Sequence, residues 1–377
     1  MLLPNLGAEE EGAWRRMAGH PRVRSVARLW AALFPEGTGF LGESPSAAPR
    51  LAPALASGAD QPAFFFCAAR RALVPWLATA EAEALARAEG LPLGGSPPEV
   101  TLRVHDKLFA HDAALAAKLV PDALAGAMLA LSPADLDDAD SVRCRIESAV
   151  AKWPAALRTR FVVKPRLGTS GRGRLIGRDG AIDASRLGGA LERLRARGGA
   201  LVEPWLERTL DLSAQLYVAA ADDVRVLGTL RQVLTPHGGP IGHAGRIAAD
   251  GAVDSGAAWD AELREAARAI GLAAARAGFR GVCGLDAFVH RGPDGALVLR
   301  AVVELNARFT AGTVALGLVG RAFRAELVGG ARAFYFGFET ADADALLILE
   351  DDPSARLCLA ADERSLRVPQ SPRERSA

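Results

Sequence analysis

Three strand-like apolar runs in this chain each deliver a polar side chain at a fixed place, and its fold has to bring those runs together. FVV precedes Lys164 in FVVKPRLGTSGRGR, AFV follows Asp286 in GVCGLDAFV, and LRAVV precedes Glu304 in VVELNARFT, where Asn306 and Arg308 follow. Side chains two apart on a strand share a face, so Glu304 and Asn306 present together. Two carboxylates and an amide are hard oxygen donors of the kind Mg²⁺ takes alongside phosphate oxygens. A lysine and a glycine-rich loop supply the cationic and backbone N–H contacts that a polyphosphate needs. The set describes a site for ATP and Mg²⁺.

Lysine usage sharpens this. Of 45 lysines and arginines only four are lysines: Lys107, Lys118, Lys152 and Lys164. A chain this rich in arginine keeps lysine where a compact, flexible point charge serves better than a planar fork. Lys118 and Lys152 sit on alanine-rich helical stretches and carry no such argument. Lys164 ends a strand before Pro165 and is expected to stand exposed there. Lys107, in RVHDKLFAHDAA, falls at an expected strand-to-helix junction.

A chain of 377 residues suits two or three modest domains with a real core. A net charge of +1 with no dominant basic tract gives no reason to expect nucleic acid or a membrane surface as partner. MLLPNLGAEEEG lacks a basic region followed by a long apolar one, so no signal peptide is expected. No run has the length of a transmembrane helix. Cys67, Cys144, Cys283 and Cys358 show no CxxC spacing, which points to reduced thiols, no zinc site and a cytoplasmic location.

Residues 1–100 form a first region, closed by the Gly- and Pro-rich LPLGGSPPEV. HDKLFAHDAALAAKLV and SVRCRIESAVAKW have helical spacing of apolar positions. FVVKP, RLIGR and GALVEPWLE read as strands, with ASRLGGALERLRARG as the helix between. DLSAQLYVAA, VRVLGTLRQVL, VCGLDAFVHR and ALVLRAVVELN are further strands, and WDAELREAARAIGLAAARAG is a helix. RAFYFGFE, ALLILE and ARLCLA read as edge strands or helix ends, and the tail RVPQSPRERSA as polar and disordered.

The ordered series of lysine, glycine-rich loop, Glu-x-Trp-Leu, Asp and Glu-x-Asn-x-Arg resembles the ATP-grasp superfamily of carboxylate–amine or thiol ligases, over residues 105–320. Any one piece is weak; the order carries the resemblance. It implies an α+β fold, two α+β lobes clamping ATP, preceded by an α/β pre-ATP-grasp domain at 1–100. The ATP-grasp domain would cover 101–340, with a small clamp lobe at about 159–206, and 341–377 would add C-terminal strands and the tail. A Walker P-loop is excluded because no lysine follows a glycine, and no HRD or DFG set argues for a protein kinase.

By the resemblance, Lys107 would reach the α-phosphate and Lys164 the α/β-phosphates. Gly168, Thr169, Ser170, Gly171 and Gly173 would form the loop that closes over the β/γ-phosphates. Glu203 or a neighbouring carbonyl would accept from the adenine amino group, and the Leu206 backbone would pair with the ring. Asp211, or alternatively Glu207, would bind the ribose. Asp286, Glu304 and Asn306 would hold Mg²⁺, with Mn²⁺ an option. Some relatives carry an arginine two residues before the first of these carboxylates. Here that residue is Gly284, so oxyanion stabilisation would fall to Arg308 or Arg231. TPHGGPIGHAGRI reads as a substrate loop, in which His237, His243 and Arg246 would orient an acid or take a proton.

The implied activity is ATP-dependent ligation of a small-molecule carboxylate to an amine, of amino-acid or peptide-like kind, through an acyl phosphate. A phosphotransferase on the same fold is the alternative and would want a basic cluster, for which Arg231 and Arg246 are candidates. A third reading is an ATP-binding protein without turnover. A homodimer is left open.

Overall fold

The computed structural model describes residues 1–9, 13–41, 49–56, 61–68, 71–168, 173–235, 239–292, 294–338, 345–366 and 368. The fold is mixed α+β, on two antiparallel sheets and one short parallel pair. That pair joins β1 (Leu2–Leu3) to β2 (Val74–Pro75) in the N-terminal region, which otherwise carries α1 (Ala13–Met17), α2 (Pro21–Ala31) and α3 (Ala80–Ala88). Two helices follow, α4 (Pro98–His105) and α5 (Lys107–Ala116). Asp106 stands extended between them and its carboxylate accepts from the Leu108 N–H, so it ends one helix and caps the next. Lys107 therefore opens a helix after another helix, where a strand-to-helix junction was expected.

The smaller lobe is a four-stranded sheet with helices on it. In chain order come β3 (Leu129–Leu131), α6 (Ala139–Val150), α7 (Ala155–Arg158), β4 (Arg160–Pro165), β5 (Leu175–Arg178), α8 (Ala184–Gly188), α9 (Leu191–Ala196) and β6 (Ala200–Pro204). The sheet order is β3-β6-β4-β5. One core unites Leu131, Val142 and Ile146 with Phe161, Leu194 and Val202, so this lobe starts well before residue 159. The single helix expected at ASRLGGALERLRARG divides at Gly188–Gly189 into α8 and α9, as two adjacent helix-weakening glycines allow.

The larger lobe carries β7 (Arg208–Val218), β8 (Val224–Leu234), β9 (Pro240–Ile247), β10 (Val253–Asp254), α10 (Asp260–Arg276), β11 (Gly281–Arg291), β12 (Leu297–Asn306), α11 (Ala311–Arg324), β13 (Ala333–Gly337), β14 (Leu346–Leu349) and β15 (Asp352–Ala360). Its sheet runs β12-β11-β7-β8-β9-β13-β15-β14, with β10 on β9. The glycine-rich stretch expected as a substrate loop is mostly β9. Its glycines serve close approach: a Cβ on Gly242 would stand 2.5 Å from the Phe336 carbonyl, and one on Gly245 2.6 Å from that of Asp254. His237 lies outside the described residues, as does most of the polar tail. Among the described residues no helix is long and apolar enough to cross a membrane.

Apart from a small cluster of its own at Leu3, Leu73, Ala82 and Ala86, the N-terminal region has no separate core. Trp30, Leu33 and Trp76 share one with Leu316 and Val319 of α11 and Phe334 of β13, each large side chain so buried contributing about 1.5–3 kcal/mol. Through that core runs Arg321, 2 % exposed. Its guanidinium donates to the carbonyls of Ala32 at 2.8 Å, Phe34 at 3.2 Å and Gln61 at 3.0 Å. Arg321→Leu is expected to cost about 3 kcal/mol or more, because buried carbonyls lose charged donors. A denaturant titration checks this, and an unchanged midpoint would refute the tie.

Candidate active site

The two lobes join at residues 205–207, which belong to neither sheet, and a cleft of about 400 Å³ opens there. β12 is an edge strand of the large sheet. Its register against β11 sets Asp286 opposite Glu304 and Gly284 opposite Asn306. Cross-strand partners share a face, so the two carboxyl groups are neighbours. Asn306 Nδ2 donates to Asp286 Oδ2 at 3.0 Å, and Gln232 Nε2, from β8, donates to Asp286 Oδ1 at 2.6 Å. Burial, then the facing Glu304, push the Asp286 carboxyl well above its usual range. Glu304 is as deeply buried, but Lys107 and Lys164 outweigh that and hold it low.

Lys107 Nζ lies 3.1 Å from Glu304 Oε2 and donates to the Gly168 carbonyl at 2.8 Å, so α5 reaches both the carboxylates and the start of the glycine-rich loop. Gly168 (φ 138°) and Gly173 (φ 75°) flank that loop in backbone conformations that favour glycine. Thr169, Ser170 and Gly171 lie outside the described residues. Arg166 binds the Asp106 carboxylate, a second tie between the lobes.

Lys164 is not the exposed strand end that was expected. Its Nζ donates to Glu203 Oε1 at 2.6 Å and its side chain is 13 % exposed, because β4 pairs with β6 and Lys164 faces the cleft floor. Burial lowers its pKa, against the pull of Glu203. Arg300 of β12 donates to the other Glu203 oxygen at 2.6 Å. The Glu203 carboxylate, sequence candidate for an adenine contact, is thus taken by two cations; Pro204, Trp205 and Leu206 line the cleft beside it. Asp211 lines it too, 3.0 Å from Arg208 Nη1.

Arg231 lies elsewhere. Strand alternation aims Gln232 at Asp286 and therefore puts Arg231 on the reverse of the sheet, where its Nη2 is 3.3 Å from Glu363. Arg246 binds the same carboxylate at 2.8 Å. Neither can stabilise charge in the cleft. His243 of β9 does line it: it pairs with Gln232 across β8–β9, is 6 % exposed, and its Nδ1 has no hydrogen-bond partner among the described residues. Burial lowers its pKa to about 4, so the ring is neutral.

Arg308 follows the end of β12. Nη2 donates to Asn306 Oδ1 at 3.2 Å and Nη1 to the Phe309 carbonyl at 3.0 Å, while Nε meets Glu9 Oε1. Gln232, Arg300 and Glu9 are site residues that the sequence analysis did not name. Only the contact with Arg308 singles out Glu9.

The donor set fits Mg²⁺. Among the described residues no three or more His, Cys, Asp and Glu side chains gather as a metal cage. Two carboxylates with an adjacent amide are instead what a cation shared with substrate phosphates requires.

No family model matches the chain, and no curated protein matches it. Among solved structures it is similar to the biotin carboxylase domain of 2-oxoglutarate carboxylase from Hydrogenobacter thermophilus, in complex with MgADP, ADP and bicarbonate (15% identity, TM-score 0.44, 71% of this chain and 58% of that one). It is also similar to N5-carboxyaminoimidazole synthetase from Staphylococcus aureus (12%, 0.46, 78% and 77%). A third likeness is to D-alanyl-alanine synthetase A from Vibrio cholerae (14%, 0.42, 64% and 67%). The chain thus spans less than two thirds of the length of the first of these.

The neutral His243 gives a signed expectation. Below pH 6.5 an unfolded chain protonates this ring while the folded one resists until about pH 4, so the residue lowers stability as pH falls through that window. His243→Asn is expected to gain on wild type across it, by at most about 1.4 kcal/mol per pH unit. Parallel melting curves from pH 7 to 4 test this; a constant difference would mean that the ring takes up its proton as readily in the fold as in the unfolded chain.

Proposed function

We propose that this chain is an ATP-grasp enzyme that activates a small carboxylic acid with ATP and Mg²⁺ and joins it to an amine. One observation carries the reading most: the β11–β12 register sets Asp286 beside Glu304, with Asn306 bonded to Asp286 and Lys107 bonded to Glu304, on the wall of a cleft between two sheets. Oxygen donors and lysine at one spot suit a polyphosphate carried with Mg²⁺.

ATP would lie along the cleft, its adenine against the backbone at 204–206 and its ribose near Asp211. Mg²⁺, held by Asp286, Glu304 and Asn306, would supply charge neutralisation on the phosphates during transfer. Lys107 and Lys164 add positive charge from two different elements and fix the phosphate chain in line with the acid. The acid's carboxylate takes the γ-phosphoryl group, giving an acyl phosphate and ADP. The amine attacks the acyl carbon and phosphate leaves. Arg308, which lines the cleft beside Asn306, would stabilise the oxyanion, and the loop at 168–173 would exclude water from the acyl phosphate. The basic cluster that a phosphotransferase reading would need is bound to Glu363 behind the sheet, so ligation is preferred.

Two measurements test this. AMP-PNP with Mg²⁺ is expected to raise the melting temperature of the wild type, GTP to have no effect, and Glu304→Ala to lose the Mg²⁺ dependence while remaining folded. A full Mg²⁺-dependent shift in that variant would overturn the metal assignment. Lys164→Met is expected to weaken AMP-PNP binding at least tenfold. It should also cost about 3 kcal/mol, because it leaves one oxygen of a buried Glu203 without its partner. Unchanged affinity would overturn the phosphate role.

A further inference from the structure

Glu203 and Glu9 are both buried carboxylates in the same cleft, and they differ in one respect. Glu203 has a cation on each oxygen, Lys164 on one and Arg300 on the other. Glu9 has Arg308 on Oε1, whereas Oε2 has no hydrogen-bond partner among the described residues although the side chain is only 2 % exposed. A buried carboxylate oxygen without a donor is costly and rare. Arg308 keeps Glu9 ionised, below the usual carboxylate range, against its burial. The open oxygen therefore carries charge and calls for a cationic N–H donor.

The surroundings say what kind. Leu6, Met17, Val23, Val26 and Trp76 line the cleft with Glu9, all from the N-terminal region and all apolar. Arg308 links Glu9 to Asn306, and Asn306 to Asp286, so the open oxygen is one arginine away from the residues assigned to Mg²⁺ and phosphate.

We propose that the N-terminal end of the cleft is the amine-substrate subsite, with Glu9 Oε2 receiving a primary ammonium group and the apolar wall receiving a short aliphatic side chain. This rests on the ligase reading above for the amine's role, but the binding itself is separable from it. The subsite completes at Glu9 the two-cation arrangement already present at Glu203. It holds the ammonium beside the acyl phosphate, and the nitrogen loses one proton to water before it attacks the acyl carbon and phosphate leaves.

The test is calorimetry with two probes of similar shape, L-alaninamide, which carries an ammonium, and propanamide, which does not. Alaninamide is expected to bind the wild type and propanamide not to bind measurably. Glu9→Gln, which turns the acceptor at Oε2 into a donor while keeping an oxygen for Arg308, is expected to weaken alaninamide at least tenfold. Val23→Trp, which narrows the pocket without touching Glu9, should do the same, and keeps the test open should Glu9→Gln fail to fold. Equal binding of both probes, or undiminished alaninamide binding in a folded variant, would overturn the subsite and leave Oε2 to water. AMP-PNP is titrated in parallel. If alaninamide binds in a Glu9-dependent way and AMP-PNP does not bind, the subsite stands and the ATP reading falls; the reverse result retires the subsite alone.

Discussion

The two lobes meet on one buried carboxylate. Glu203 belongs to β6 of the smaller sheet, Lys164 to its neighbour β4, and Arg300 to the edge strand of the larger sheet. Taking three charges out of water is unfavourable unless each finds a partner at close range, and the 2.6 Å contacts on both oxygens meet that condition. Removing any member leaves charge buried and unpaired, which typically costs about 3–5 kcal/mol. That penalty, with the Lys107–Gly168 and Arg166–Asp106 contacts, holds the two sheets against each other.

Much of this was legible before any coordinates. Asp286 and Glu304 could be read as partners because each ends or follows an apolar run that can only be a buried strand, and a polar residue there needs a reason. The order of the large sheet was not legible. β7 pairs with both β8 and β11, a contact set by which apolar faces meet and not by any local pattern. β9 was missed because four glycines in TPHGGPIGHAGRI read as a loop, whereas Gly242 and Gly245 are there because neighbouring backbone leaves no room for a Cβ.

Single-residue parity decided the fate of Arg231. Arg231 and Gln232 are adjacent, and charge made Arg231 the more attractive catalytic residue. Strand alternation gives the cleft to Gln232, which holds Asp286, and sends Arg231 to Glu363 behind the sheet. A one-residue shift in reading a strand start exchanges such roles entirely. Glu9 had no signal of any kind: an acidic residue in a short acidic run is ordinarily solvated, and its partner is about three hundred residues away in the chain.

Gly284 has no room for a larger side chain. Here a Cβ at Gly284 would stand 2.8 Å from Thr310 Cγ2 and 3.0 Å from Gln215 Oε1. Gln215 is itself engaged, accepting from Thr310 Oγ at 2.5 Å and Thr313 Oγ at 3.1 Å, while Thr310 caps α11 through the Thr313 N–H. The volume that an arginine would fill is thus occupied by a polar cluster that fixes the start of a buried helix. Arg308 sits immediately before that helix and is locked by Asn306, the Phe309 carbonyl and Glu9. A guanidinium so held loses little freedom when charge develops beside it, which is the condition under which a fixed donor stabilises a transition state best. The same lock ties it to the N-terminal region, so that segment belongs to the site as much as to the core.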